Sequence, residues 1–131
     1  SILKCVDSCS NFDVYGHLDY VIRYTPYKDD VFSYSDYSDV IDCILKKLIH
    51  LGKGIEVNTG GYNAGLSQPN PSVDIIKRYR ELGGEILTVG SDAHKYSNIG
   101  SHFEKASELL KKCGFDYVTI FENRSPEFVK I

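Results

Sequence analysis

Asp92 and His94 stand two residues apart in LTVGSDAHKYSNIG (residues 87–100), where an apolar run gives way to a polar one. A second pair, His17 and Asp19, follows another apolar run in FDVYGHLD. Carboxylate and imidazole together suit divalent Zn, Mn or Fe, and the residue types do not choose among them. Along a strand, residues i and i+2 point to the same face, so each pair is expected to lean toward one point, as two ligands of one ion must. The local alternative is that Ser-Asp at a strand end caps the following turn. Two such pairs at two strand exits favour the metal over the cap.

Those exits need strands to leave from and helices to cover them. Four β-rich runs, FDVYGHLD, GIEVNTGG, EILTVGSDAH and FDYVTIFEN, each end in polar or charged residues. Helical patterning fills the intervals. Over 35–51, Val40, Ile41, Ile44, Leu45 and Leu48 form one stripe with Gly52 as a stop. Over 71–82, Asn70 is placed to cap, Pro71 suits the first turn, and Gly83-Gly84 end it. Over 101–113, Phe103, Ala106, Leu109 and Leu110 are the apolar side, with Gly114 following. Strand starts are spaced by roughly 30 to 40 residues, the size of a βα unit. Alternation of this kind predicts an α/β fold with parallel strands. A small open flavodoxin-like sheet fits, and so does part of a TIM-like barrel, whose usual length is roughly 250 residues. The 131 residues contain no Met and open on SILKCVDSC, the pattern of an amphipathic helix tail, so the chain is expected to begin inside a larger protein. That favours the barrel.

Composition removes several function classes. Lys and Arg number 15 against 18 Asp and Glu, a net charge of -3, without a basic block, which argues against non-specific nucleic-acid binding. There is no apolar run long enough to span a membrane and no secretory leader pattern at the start. Cys5, Cys9, Cys43 and Cys113 lack CxxC or framework spacing, which suggests a reduced, cytoplasmic setting.

Three longer stretches carry a specific resemblance: GHLDYVIRY (16–24), IEVNTGGYNAGLSQPNPS (55–72) and GSDAHKYSNIG (90–100). In order and spacing they resemble the later motifs of the PHP-type histidinol phosphatases, within the polymerase-and-histidinol-phosphatase superfamily. The resemblance implies the C-terminal half of a distorted (β/α)7 barrel, with four sequential parallel strands in this chain. It implies a trinuclear site of divalent ions, to which His17, Asp92 and His94 contribute metal ligands and catalytic groups. The remaining ligands belong to earlier motifs that these residues do not contain. Arg23 resembles the family's phosphate-gripping arginine, a bidentate task suited to guanidinium; a surface ion pair with Asp29 and Asp30 is the alternative. Asp19 is expected to orient a ligand or bind the substrate amine. Many relatives carry a basic residue near the position of Asn63, and GGYNAG lacks it.

The implied activity is hydrolysis of L-histidinol phosphate, a small-molecule phosphate ester, in histidine biosynthesis. Metal ions suit that task because the transition state spreads negative charge over phosphate oxygens. Two other readings stay open: a superfamily phosphoesterase of other substrate, including the polymerase-associated exonuclease type, and a non-catalytic α/β domain with a vestigial metal site. Glu56 and Asn58 share a strand face, for which buried hydrogen bonding is favoured over metal ligation. His50 and His102 are expected on helices facing solvent; the tyrosines from Tyr20 to Tyr37 either line a substrate mouth or pack the long loop, with packing favoured. The 131 residues alone are expected to be inactive, and an uncovered sheet edge invites self-association.

Overall fold

The computed structural model describes residues 2–9, 11–24 and 33–131, with Arg23 described by its backbone alone. In chain order the elements begin with α1 (Ile2–Ser8), β1 (Val14–Tyr15), α2 (Ser38–His50) and β2 (Gly54–Asn58). They continue with α3 (Gly60–Asn63), α4 (Val73–Glu81), β3 (Leu87–Gly90), α5 (Phe103–Lys112), β4 (Tyr117–Glu122) and β5 (Ser125–Lys130). Short 3-10 turns at Tyr20–Tyr24, Tyr34–Tyr37 and Tyr96–Asn98 fill three of the connections.

Apolar spacing accounts for the three longer helices. α2 buries Ile41, Ile44, Leu45 and Leu48, whereas Val40, expected on the same stripe, faces solvent. α4 buries Ile75, Ile76 and Tyr79, and α5 buries Ala106 and Leu110. α2 stops where predicted, at Gly52, whose φ of 65° only glycine adopts without strain. Its amide donates to the Ile49 carbonyl at 3.0 Å. The start of α4 differs from expectation. Asn70 does not cap it, and Asn70-Pro71 is a cis peptide that precedes the helix. The first amides donate instead to groups outside the helix: Ser72 N to Asp19 Oδ2 at 2.7 Å and Val73 N to Gln68 Oε1 at 2.9 Å.

β1, β2 and β3 pair in parallel and in sequence order, with Val14 opposite Gly54 and Ile55 opposite Leu87. That order is the barrel's and not that of a flavodoxin-like sheet, in which the first strand is inserted between later ones. The parallel sheet of the described residues holds three strands, not the four expected. The fourth run does form β4, but it pairs antiparallel with β5, a strand the sequence reading missed. Two local causes are visible. Leu87 donates its amide to the Thr119 hydroxyl at 3.1 Å, so a side chain stands where a parallel ladder would place a backbone carbonyl. Asn123 and Arg124, with φ of 49° and 65°, form a two-residue turn that folds the chain straight back. Arg124 then ties this turn to the approach to β1, donating to Asp13 through two hydrogen bonds of 2.9 Å and to Asn11.

The sheet has two unlike faces. Ile55, Val57 and Leu87 are fully buried and pack with α2 and α4 around one core. Alternation turns Glu56 and its register partner Thr88 to the opposite side. That side, at the carboxyl ends of the strands, carries the polar residues.

Candidate active site

His17 lies two residues past β1 and Asp92 two residues past β3, at strands that flank β2 on either side. Both are non-glycine residues in the left-handed region, with φ of 59° and 50°. Such a conformation costs roughly 1 kcal/mol or more per residue and turns a side chain sharply off the strand's course. Here the two turns face each other across the sheet. His17 Nε2 lies 3.6 Å from Asp92 Oδ2, and His17 Nδ1 lies 3.7 Å from Glu56 Oε2. The His17 ring, 44% exposed, thus sits between two carboxylates.

The structure corrects the reason given for this convergence. Strand alternation does not align Asp92 with His94, because β3 ends at Gly90. His94 is exposed, and its Nδ1 is 2.8 Å from the backbone oxygen of Asp92, which leaves Nε2 on the outer edge of the ring. Nor do His17 and Asp19 lean to one side. His17 is exposed and Asp19 is 3% exposed, because the turn between them is not a strand. Asp19 Oδ1 accepts from Asn70 Nδ2 at 2.8 Å and Oδ2 from the Ser72 amide at 2.7 Å. It borders a mainly apolar hollow with Ile41, Ile44 and Ile75. These bonds lock the His17 turn onto the start of α4.

The middle strand brings Glu56 and Asn58 to the same rim, joined by the hydrogen bonding expected of them. Glu56 is half-buried between the ends of β1 and β3, and Asn58 Nδ2 donates to its Oε2 at 3.4 Å. Asn58 Oδ1 accepts from Gly60 N at 2.9 Å, and the Thr59 amide donates to the Gly90 carbonyl at 2.8 Å. These bonds fix the exit of β2 against that of β3. The available signal was the placement of a charged residue between Ile55 and Val57 at the centre of a parallel strand.

A cavity of about 410 Å³ opens beside Asp92 and His94, bordered also by Tyr20, Tyr24, Asn63 and Lys95. Tyr20 packs edge-on against the His17 ring at 4.5 Å and against Tyr24 at 5.5 Å. These two tyrosines thus edge the cavity, the alternative to packing alone. The side chain of Arg23 lies outside the described residues, as do Asp29 and Asp30. His50 ends α2 and is exposed. His102 is exposed too but precedes α5, with φ of 62° and Nε2 3.0 Å from Asn63 Oδ1. The four cysteines are free thiols.

Among the described residues, no three His, Cys, Asp or Glu side chains gather closely enough to hold an ion by themselves. The pair that does meet has suitable chemistry and spacing. Metal–ligand bonds of about 2.0 to 2.2 Å place two donors of one ion roughly 3 to 4 Å apart, and His17 Nε2 and Asp92 Oδ2 are 3.6 Å apart. Imidazole and carboxylate fit part of a divalent-metal shell, with further donors required to complete it. No helix of the described residues is long and apolar enough to cross a membrane.

No protein-family model matches the chain. Curated proteins do. The chain is 37% identical over 124 residues to a probable histidinol-phosphatase of Clostridium acetobutylicum, covering 95% of this chain and 48% of that protein. It is 33% identical over 123 residues to the histidinol-phosphatase of Lactococcus lactis, covering 92% and 45%. A crystal structure of the Lactococcus lactis histidinol phosphate phosphatase, complexed with Zn, L-histidinol and phosphate, superimposes with a TM-score of 0.75 at 27% identity. That match covers 96% of this chain and 48% of the other. The chain spans about half the length of the curated relatives it matches. Strand order, polar rim and relatives agree: over nearly its whole length the chain is similar to a portion of the PHP-type histidinol phosphatases, about half of their α/β barrel.

Proposed function

We propose that the protein containing this chain is a cytoplasmic, metal-dependent phosphomonoesterase that hydrolyses L-histidinol phosphate to L-histidinol and phosphate. The observation that carries the reading is the meeting of His17 and Asp92, 3.6 Å apart, at the carboxyl ends of two strands flanking β2. The relatives' names and the ligands in the Lactococcus lactis structure support the choice of substrate. His17, Asp92 and His94 are the ligands this chain would supply, the rest of the shell coming from the part of the barrel it does not span.

Divalent ions held there would offset charge developing on the phosphate oxygens and acidify a bound water. The chain's own residues bind and orient. Arg23, in the turn that follows His17, grips the phosphate through a bidentate contact. Tyr20 and Tyr24 offer aromatic edges to the flat imidazole of the substrate beside the 410 Å³ cavity. Asp19 keeps the His17 turn fixed from below. The test is phosphate release by the full-length protein, stripped of metal and reloaded with Zn, Mn or Fe(II). Saturable hydrolysis of L-histidinol phosphate, preferred over p-nitrophenyl phosphate and abolished by chelation, is the expected result. Equal rates on both esters would move the substrate elsewhere in the superfamily, and absence of any metal-dependent hydrolysis would leave a non-catalytic domain.

A further inference from the structure

Glu56 approaches the His17–Asp92 pair from the middle strand, and the strands on both sides make room for it. A methyl group on Gly90 would lie 2.4 Å from Glu56 Oε1, and one on Gly16 would lie 3.0 Å from Oε2. The two neighbouring strand ends therefore lack a side chain at the points where this carboxylate passes. Asn58 donates to Oε2 at 3.4 Å, and the same oxygen is 3.7 Å from His17 Nδ1. On the other side of that ring, Nε2 faces Asp92 at 3.6 Å. A neutral imidazole carries one proton, and the nitrogen that keeps it cannot bind a metal.

Resting on the metal-dependent reading above, we infer that Glu56 is a positioning residue for His17. It draws the imidazole proton to Nδ1 and so presents a bare Nε2 toward Asp92. At 3.7 Å the contact is longer than a hydrogen bond, so the carboxylate biases the tautomer and ring orientation electrostatically. Gly16 and Gly90 are required because side chains there would push Glu56 off this line.

The experiment uses the full-length protein with Zn2+ as the probe, its affinity read by competition with a chromogenic chelator. His17 tautomers are read from imidazole 15N shifts, and melting temperatures report folding. Glu56→Ala is expected to weaken zinc binding by about 10- to 100-fold, the usual effect of removing a carboxylate behind a ligating histidine. Glu56→Gln, which keeps an acceptor oxygen and loses the charge, should fall between it and the parent, with the Nδ1–H form of His17 depleted in both. Gly90→Ala should shift zinc affinity in the same direction with Glu56 intact, and should add nothing in the Glu56→Ala background. It also decides the matter if Glu56→Ala does not fold. Unchanged zinc affinity and tautomer in the Glu56 variants, with zinc lost in Asp92→Asn, would overturn the inference and leave the metal site standing. Loss of a whole zinc equivalent in Glu56→Gln would overturn it in favour of direct ligation. Zinc retained in Asp92→Asn as well would overturn the metal site itself.

Discussion

At Asp42 a carboxylate on α2 receives Arg78 from α4 at 2.6 Å through Nη2 and 2.9 Å through Nε, and the Tyr34 hydroxyl at 2.7 Å. At His17 the two carboxylates stop 3.6 and 3.7 Å away, beyond hydrogen-bond reach. The first cluster is closed. The Arg78 guanidinium, with help from Tyr34, holds the Asp42 carboxyl well below the usual carboxylate range, against the opposing effect of burial, and the Tyr34 hydroxyl is pushed up in return. The second cluster has its charges gathered and its contacts long, on turns that themselves cost backbone strain. Short, mutually satisfied contacts tie two helices together. Long contacts on a strained rim leave the space an ion requires, so under the proposed function carboxylates serve stability in one place and chemistry in the other.

Substitutions sharpen this contrast. The largest effect belongs to the open cluster: in the full-length protein, Asp92→Asn or His17→Ala should lower kcat/KM for histidinol phosphate by about 1000-fold or more. Zinc content should fall with it while the melting temperature moves little. Loss of folding without loss of zinc from the folded fraction would reverse the assignment of the two clusters. Next comes Arg23→Ala, expected to lower kcat/KM by about 30- to 1000-fold at unchanged metal content. Unaltered kinetics would return Arg23 to the surface ion pair.

Smaller effects belong to the closed cluster and should appear in stability alone. Asp42→Asn is expected to lower the melting temperature by several degrees and to leave kcat and zinc content as they were. Because the folded-state pKa of Asp42 is depressed, its contribution is present above the unfolded value near 3.9 and is lost as pH falls below it. Melting curves between about pH 7 and pH 3 should therefore decline less steeply in Asp42→Asn than in the parent. Parallel declines would show that Asp42 is not the carboxylate responsible. The smallest change is Lys46→Ala, which removes an exposed i,i+4 contact to Asp42 at 3.7 Å and should leave the melting temperature within error.

The sequence by itself determined the elements and their kind. Apolar spacing located α2, α4 and α5, glycines placed their ends, and apolar runs located the four strands named in advance. These are local effects, since a helix stripe or a left-handed stop is decided within a few residues of chain. Motifs at the strand exits also pointed to the histidinol phosphatases to which the chain proved similar, through the order of GHLDYVIRY, IEVNTGGYNAGLSQPNPS and GSDAHKYSNIG along the chain. β5 was not legible, because SPEFVK lies wholly on the surface and has no apolar alternation to announce it.

Tertiary structure alone decided which of the rim residues face one another. Residues i and i+2 converge only where the strand continues, and both strands had already ended: Asp19 turned inward to hold Asn70 and Ser72, while His17 turned outward to Asp92. The same holds for the start of α4, whose first amides find acceptors at Asp19 and Gln68 and none at Asn70. Glu56 reads in sequence as one charge between two apolar residues of a strand. Its reach toward His17 exists because Gly16 and Gly90, 40 and 34 positions away in the chain, lie beside it in the sheet and carry no side chain. Pairing between strands is a long-range contact, and no window of local sequence contains it.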